Sequence, residues 1–232
     1  MINGMEQGNL SVKNQVAELL KRREYALLVE YCIRDRHSWQ AVRFRLYDLD
    51  EPVRWAAIET VAKVMEQWWK AGRGEKVRNY IRTLFWSMTD ESGGIGWSAP
   101  QAIAEIIAHI PEIIDPYGSM MIAHTIDEPP LVKGGLWGVG RLGKRIEDSV
   151  DFFRDRIFAV FASTDAETLG LLAWAMGQTG YRPAVPFLRQ MQVSDAAVTI
   201  YCNGEFSVKS LGEWAEEAVS KITGVSGGLK SS

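Results

Sequence analysis

The segment Phe85–Pro100 concentrates residue types that commonly bind ligands. Trp86 and Trp97 stand on either side of Asp90, Glu91 and three glycines that fall within four positions. Glycine adopts backbone angles closed to other residues, the carboxylates accept hydrogen bonds, and the indole rings offer large flat contact surfaces. We expect either a binding loop for a peptide or small ligand, or a tight turn whose tryptophans cover the core.

Asp90 and Glu91 also have the composition of an acid–base pair. Adjacent loop carboxylates are more commonly solvent-exposed or helix-capping, so we expect no catalytic role for them. The histidines His37, His109 and His124 are far apart in the sequence, which favours structural roles over a metal site. The sequence contains no nucleophile elbow and no Walker loop. We therefore expect no catalytic residues, no resident metal and no cofactor.

Trp137 and Arg141 form a second candidate pair, four residues apart on one predicted helix. Arg141 could meet an anionic partner or pair with an acidic residue of the next helical unit. Trp137 aligns with Trp174 in a related segment, which favours a packing role for both rings. We keep Trp137 and Arg141 among the candidate binding residues beside Trp86 and Trp97.

Helical periodicity dominates the chain that must position these residues. The clearest predicted helix spans Asp50–Trp69, with Pro52 in its first turn. Ser/Thr-x-x-Glu/Gln patterns before apolar runs predict further helix starts at Ser98, Thr164 and Ser210. The predicted helices recur about every 40 residues, a spacing typical of α-solenoids with two helices per unit.

Small residues mark the predicted helices of two neighbouring units. Gly135–Gly143 aligns with Leu172–Gly180, and each segment contains and ends with glycine. Glycine inside a helix costs about 1 kcal/mol relative to alanine. We expect a close approach between stacked helices to compensate for that cost.

A β-hairpin interrupts the helical pattern near the C-terminus. Val198–Cys202 and Glu205–Lys209 have strand-like sequences and flank Asn203-Gly204. Both turn residues tolerate the positive φ that a two-residue hairpin turn requires. We predict a hairpin at about residues 197–209 that lies against the last helices, because an isolated hairpin is only marginally stable.

Three segments resemble HEAT-like repeats. Asp48–Ala57 resembles the turn and second helix of a HEAT repeat, in which an acidic turn residue and a following arginine tie successive units together. Leu171–Leu188 resembles the repeats of the phycobilisome-lyase type, and Tyr201–Ala218 resembles the last unit of a group of uncharacterised bacterial HEAT-like proteins. Over about residues 40–224, the resemblance implies an all-α solenoid of about five repeats with one small β-hairpin.

The expected domain organisation is simple. We predict a flexible N-terminus at 1–10, a single HEAT-like domain at 11–225 and a disordered tail at 226–232. The N-terminus lacks the apolar core of a secretory signal, and no stretch approaches about eighteen uninterrupted apolar residues. We therefore expect no membrane span and a cytoplasmic protein. Cys32 and Cys202, the only cysteines, should be reduced thiols.

The net charge of the chain limits the classes of partner that we expect it to bind. Lysine and arginine total 26 against 29 acidic residues, a net charge of −3 that argues against nucleic acid and anionic membranes. We expect a non-catalytic HEAT-repeat scaffold that docks a protein segment, or a small ligand, on its concave surface. The phycobilisome-lyase resemblance implies an alternative, a lyase or chaperone that handles tetrapyrroles. A helical-repeat protein that binds or repairs DNA is a third hypothesis, which the balanced charge disfavours.

Overall fold

The computed structural model describes residues 2–89 and 96–224, with side chains from residue 12 onward. Most of these residues are helical. The helices are α1 (Ile2–Lys21), α2 (Tyr25–Arg34), α3 (Arg36–Phe44), α4 (Glu51–Lys70), α5 (Gly74–Met88), α6 (Ala99–His109), α7 (Ile114–Thr125), α8 (Val132–Leu142), α9 (Glu147–Phe152), α10 (Arg154–Ala159), α11 (Ala166–Thr179), α12 (Val185–Met191) and α13 (Leu211–Thr223). The strands β1 (Ala197–Cys202) and β2 (Glu205–Ser210) form one antiparallel sheet near the C-terminus.

The chain divides into two compact units, Met1–Glu112 and Ile113–Ser232. The first contains α1–α6, and the second contains α7–α13 with the hairpin. A single continuous domain over residues 11–225 stays a prediction. Helix α1 begins at Ile2, inside the segment for which the sequence predicts a flexible N-terminus. That segment has no proline, so its composition does not prevent the helix from starting early. None of the described helices combines the length and apolar composition needed to cross a bilayer.

Helix α4 is the centre of the first unit, and α1, α2, α3, α5 and α6 all pack against it. Pro52 lies in its first turn, as predicted, where its fixed φ suits the helix. Arg54 closes the turn before α4 by donating from Nη1 to the Asp48 carbonyl at 2.9 Å. The Asp48 carboxylate accepts from Arg45 at 2.7 Å and from the Asp50 amide at 3.0 Å. These bonds fix the direction in which α3 enters α4.

In the second unit, α11 packs between α8 and α13. A Cβ atom on Gly140 would lie 2.2 Å from the Trp174 ring, and one on Gly177 would lie 2.8 Å from Ala218 Cα. Neither distance leaves room for a side chain. The predicted close approach of helix backbones is therefore confirmed at Gly177, whereas Gly140 makes room for the Trp174 ring.

The predicted hairpin is confirmed. Asn203 and Gly204 form the turn with φ of 54° and 84°, and Cys202 pairs with Glu205 across it. Two indole N–H groups hold β1 on the helices: Trp137 donates to the Tyr201 carbonyl at 2.6 Å and Trp214 to the Val198 carbonyl at 3.2 Å. The hairpin therefore gains the support that its small size requires.

The predicted helix starts differ in how they are capped. Ser210 forms the full reciprocal capping box with Glu213 at the start of α13, as predicted. Ser98 precedes α6 without a side-chain capping bond. Thr164 is not the cap of α11, because the Asp165 carboxylate accepts from the Thr168 amide at 3.2 Å and takes that role.

Candidate functional site

Trp86 and Trp97 are the most exposed of the nine tryptophans, with exposed fractions of 78% and 63%. The other seven are buried or half-buried: Trp39, Trp55, Trp68, Trp69, Trp137, Trp174 and Trp214. The predicted core packing of Trp137 and Trp174 is confirmed, and Trp55 and Trp214 are buried as well. Two indole rings are thus left in solvent where the sequence places a candidate binding segment.

A close backbone contact joins the chain next to these two tryptophans. Trp86 lies near the C-terminal end of α5 and precedes Ser87, whereas Trp97 follows Gly96 just before α6. The Gly96 amide donates to the Ser87 carbonyl at 2.9 Å. A Cβ atom on Gly96 would meet Ser87 Oγ at 2.3 Å, so the contact requires glycine. Asp90 and Glu91, the candidate carboxylates, lie outside the described residues.

A cleft of about 230 Å³ adjoins this contact between α3 and α5. It is lined from α3 and the turn after it by Arg43, Phe44 and Tyr47. From α5 it is lined by Tyr80, Thr83 and Ser87. Phe44 and Tyr47 are exposed by 74% and 53% and form one rim. We call this space the Arg43 cleft. Ser87 belongs both to the cleft and to the base that holds Trp86.

Arg43 supplies the positive charge of the cleft. Its guanidinium carbon lies 5.2 Å from the Tyr80 ring centroid and 5.9 Å from that of Trp39. Within the described part of the chain it has no carboxylate partner. Burial raises the pKa of the Tyr80 phenol well above its usual range, so this ring stays neutral beside the arginine. Stacking on the rings therefore orients a guanidinium whose donors remain available.

Lys76 is a second cation on the same group of aromatic rings. Its Nζ lies 3.3 Å from the Trp68 ring centroid, and burial lowers the pKa of its amine. Trp39 packs edge-to-face against both Trp68 and Tyr80, at 5.1 and 5.2 Å between centroids. Trp39, Trp68 and Tyr80 thus form one continuous aromatic bed beneath both cations. Trp68 Nε1 is buried and donates to no group among residues 2–89 and 96–224.

Trp137 and Arg141 lie in the second unit, on α8. Trp137 is 4% exposed, stacks on Trp174 at 6.4 Å between centroids, and uses its Nε1 to hold the hairpin. Its surroundings are those of a core residue. Arg141 is exposed on the same helix. The geometry of a binding surface therefore rests on Trp86 and Trp97.

A half-buried ionic cluster at the end of α6 is not evident from the sequence. His109 Nδ1 lies 2.9 Å from Glu66 Oε2, and its Nε2 lies 3.4 Å from Glu105 Oε1. Hydrogen bonding to Glu105 raises the pKa of His109, against the opposing effect of burial, and Glu66 adds to the increase. The spacing of Glu105 and His109 suggests a helical pair. Glu66, 43 residues away, joins it only through the fold.

The described residues provide neither a metal centre nor an activated thiol. No three His, Cys, Asp or Glu side chains within 2–89 and 96–224 are arranged to hold a metal ion. Cys32 and Cys202 are both free. Burial raises the pKa of Cys32 to about 12 and also raises that of Cys202. At Cys202 the effect of burial outweighs that of the nearby Lys209 and Lys221, so neither thiol has the lowered pKa of an activated nucleophile.

The Arg43 cleft was also missed by the sequence analysis. Arg43 follows Trp39 by four residues, and Tyr80 follows Lys76 by four. A cation and an aromatic ring one helical turn apart on each of two helices could have suggested it.

The comparison with known proteins gives one distant relative. No family model matches the chain. Over 104 residues the chain is 32% identical to an uncharacterized protein of Archaeoglobus fulgidus. The matched region covers 45% of this chain and 53% of that protein, so the chain spans about half the length of the curated relative it matches.

Proposed function

We propose that the protein is a non-catalytic HEAT-like scaffold that docks a segment of a partner protein. The docking site is the Trp86–Trp97 surface, meaning these two rings and the Ser87–Gly96 contact beneath them. The observation that carries this proposal is the exposure of both indoles, 78% and 63%, on a fixed backbone base. Asp90 and Glu91, the other candidates between the two tryptophans in the sequence, lie outside the described residues and carry no part of this proposal.

Exposed tryptophans on a fixed base are well suited to binding. An indole ring offers a large apolar area with few rotatable bonds, so little conformational entropy is lost when it is covered. Tryptophan is also the residue type most enriched among the side chains that dominate protein–protein binding energies. Covering Trp86 and Trp97 would remove two large apolar surfaces from water.

The helix packing supports a solenoid scaffold. In the second unit, α8, α11 and α13 pack in sequence order, with glycines at the closest approaches. In the first unit, the Asp48–Arg54 bond closes the turn before α4, at the position where HEAT repeats have an acidic residue and a following arginine. We propose that both units are made of such repeats.

The size of the Arg43 cleft favours a peptide over a tetrapyrrole. Its volume of about 230 Å³ is smaller than the roughly 300–1,000 Å³ typical of sites for drug-sized ligands. A space of this size suits one or two side chains of a docked segment. This disfavours a tetrapyrrole in the Arg43 cleft.

Selection of peptides on the immobilised full-length protein tests the proposal. A library of random twelve-residue peptides should yield binders that the wild-type protein retains and that Trp86→Ala and Trp97→Ala retain about tenfold less. Both side chains are exposed, so neither variant should unfold, which circular dichroism checks. Phe152→Ala is the matched control, because Phe152 is 82% exposed in the second unit. Absence of selected binders, or equal retention by Trp86→Ala, Trp97→Ala and wild type, would overturn the proposal.

A further inference from the structure

We infer that the segment docked on the Trp86–Trp97 surface is acidic and places its carboxylates on Arg43 and Lys76. This inference rests on the proposed function and specifies the chemistry of the partner. It follows from the position, surroundings and charge of these two cations beside the surface.

Arg43 is arranged to receive a carboxylate. Its guanidinium stacks on Tyr80 and Trp39 and has no acidic partner among residues 2–89 and 96–224. Arg45, two residues on, differs in that Asp48 already accepts from it at 2.7 Å. Arginine binds carboxylates through two parallel N–H donors, and ring stacking holds this fork in one orientation. Because this arginine is half-buried, a bound carboxylate should interact with it more strongly than with a fully solvated arginine.

Lys76 adds a second positive position on the same side of α5. It lies over Trp68 and also lacks an ion pair within the described residues. Partial burial and the nearby charge of Arg73 lower its pKa, although the side chain is exposed. A carboxylate beside it would restore favourable electrostatic surroundings for the ammonium group.

One face of α5 runs from Lys76 past the Arg43 cleft to Ser87, the residue that follows Trp86. Lys76, Tyr80, Thr83 and Ser87 are spaced by four, three and four residues and so share a helix face. The eleven residue steps from Lys76 to Ser87 span about 16 Å of helix. An extended peptide covers that length with about five residues. A segment on this face therefore reaches from Lys76 past Arg43 to Ser87, and Trp86 lies on the neighbouring face of α5 at that end.

The net charge of the whole chain cannot account for such a preference. The chain carries a net charge of −3, which disfavours acidic partners at long range. A preference for acidic peptides must therefore come from local cations. Removing one of them should abolish it, whereas removing a cation elsewhere on α5 should not.

Three focused peptide libraries test this inference on the full-length protein. Each consists of ten-residue peptides built from Phe, Leu, Gly and Ser with one added residue type: Asp, its neutral isostere Asn, or Lys. We expect wild type to retain the Asp library about tenfold better than the other two. Arg43→Gln should lose this preference while keeping Trp86-dependent retention, and Arg43→Lys should keep part of it. Arg82→Gln is the control, because Arg82 lies on α5 and already pairs with Glu75.

The outcomes separate this inference from the proposed function. Equal retention of the Asp and Asn libraries, with retention still lost in Trp86→Ala, overturns the acidic partner alone. Persistence of the Asp preference in a folded Arg43→Gln variant overturns it too. Retention of none of the libraries by wild type, or retention unaffected by Trp86→Ala, overturns the proposed function and the inference with it. Circular dichroism and the melting temperature establish that each variant is folded.

Discussion

His109 is the residue at which pH should act on stability. Hydrogen bonds that His109 donates to Glu105 and Glu66 raise its pKa above the ordinary value of 6.5, although burial and the charge of Lys63 oppose the effect. The stabilisation from protonated His109 is therefore complete below about pH 6.5 and is lost as pH rises through the higher pKa of the folded protein. The pKa of Glu66 is lowered by Lys70 and His109, so its contribution is lost only as pH falls below 4.5.

Replacing this histidine gives a pH-dependent prediction. His109→Gln should lower the free energy of unfolding by about 1–2 kcal/mol more at pH 6 than at pH 8.5, because the charged hydrogen bonds exist only at the lower pH. Urea denaturation at the two pH values measures the difference. His37→Gln is the matched control, since His37 is exposed at the start of α3. The same cost at both pH values for His109→Gln would contradict this assignment.

At the residue scale, the roles of the tryptophans were predictable from their positions relative to the helical repeats, whereas residue type alone predicted little. Trp137 and Trp174 were assigned to the core from their equivalent positions, and both are buried. Trp86 and Trp97 stood out because they flank a segment that fits no helical pattern. Arg43, by comparison, lies within an ordinary helical pattern and did not stand out in the sequence. Its role depends on rings from three helices that only the fold brings together.

At the scale of elements, the variant Gly140→Ala tests whether close packing against Trp174 outweighs the higher helix propensity of alanine. Alanine at this helical position should gain about 1 kcal/mol from propensity alone. Its Cβ would, however, lie 2.2 Å from the Trp174 ring. Overpacking of this kind costs about 1–3 kcal/mol or more, so Gly140→Ala should destabilise the protein. Urea denaturation of the variant and of wild type measures the sign directly.

Two further glycines control that experiment. Gly177→Ala should also destabilise, because its Cβ would lie 2.8 Å from the backbone of Ala218. Gly224→Ala meets no atom within 4 Å but has a φ of 70°, so it should cost only the backbone strain of about 1–2 kcal/mol. Stabilisation by Gly140→Ala would show that α8 and α11 are less tightly packed than described.

Secondary-structure elements that depend on residues close together in the sequence were predictable. The residue that caps each helix was less predictable. The hairpin follows from Asn203-Gly204 and the capping box from Ser210, since each depends on residues that are adjacent or three apart. Thr164 was predicted as a cap, but the carboxylate of Asp165 competes for the same amides and prevails. Local sequence gave no basis for choosing between two adjacent capping residues.

At the scale of the whole molecule, the candidate site depends on how the helices of the first unit are arranged. The Arg43 cleft forms because α3 and α5 both pack on α4 and leave a space between them. The helical periodicity predicted these helices but not the gap, which depends on tertiary packing. The HEAT resemblance implied a binding surface without identifying its chemistry, and the stacked cations now supply a specific hypothesis.

The affinity of one selected peptide for full-length variants tests the central claim most directly. Fluorescence anisotropy of the labelled peptide should show about tenfold or weaker binding to Trp86→Ala and Trp97→Ala than to wild type. Phe152→Ala, which removes an equally exposed aromatic ring from the second unit, should bind as wild type does. Equal affinity of the wild type and both tryptophan variants would contradict the assignment of the Trp86–Trp97 surface as the docking site.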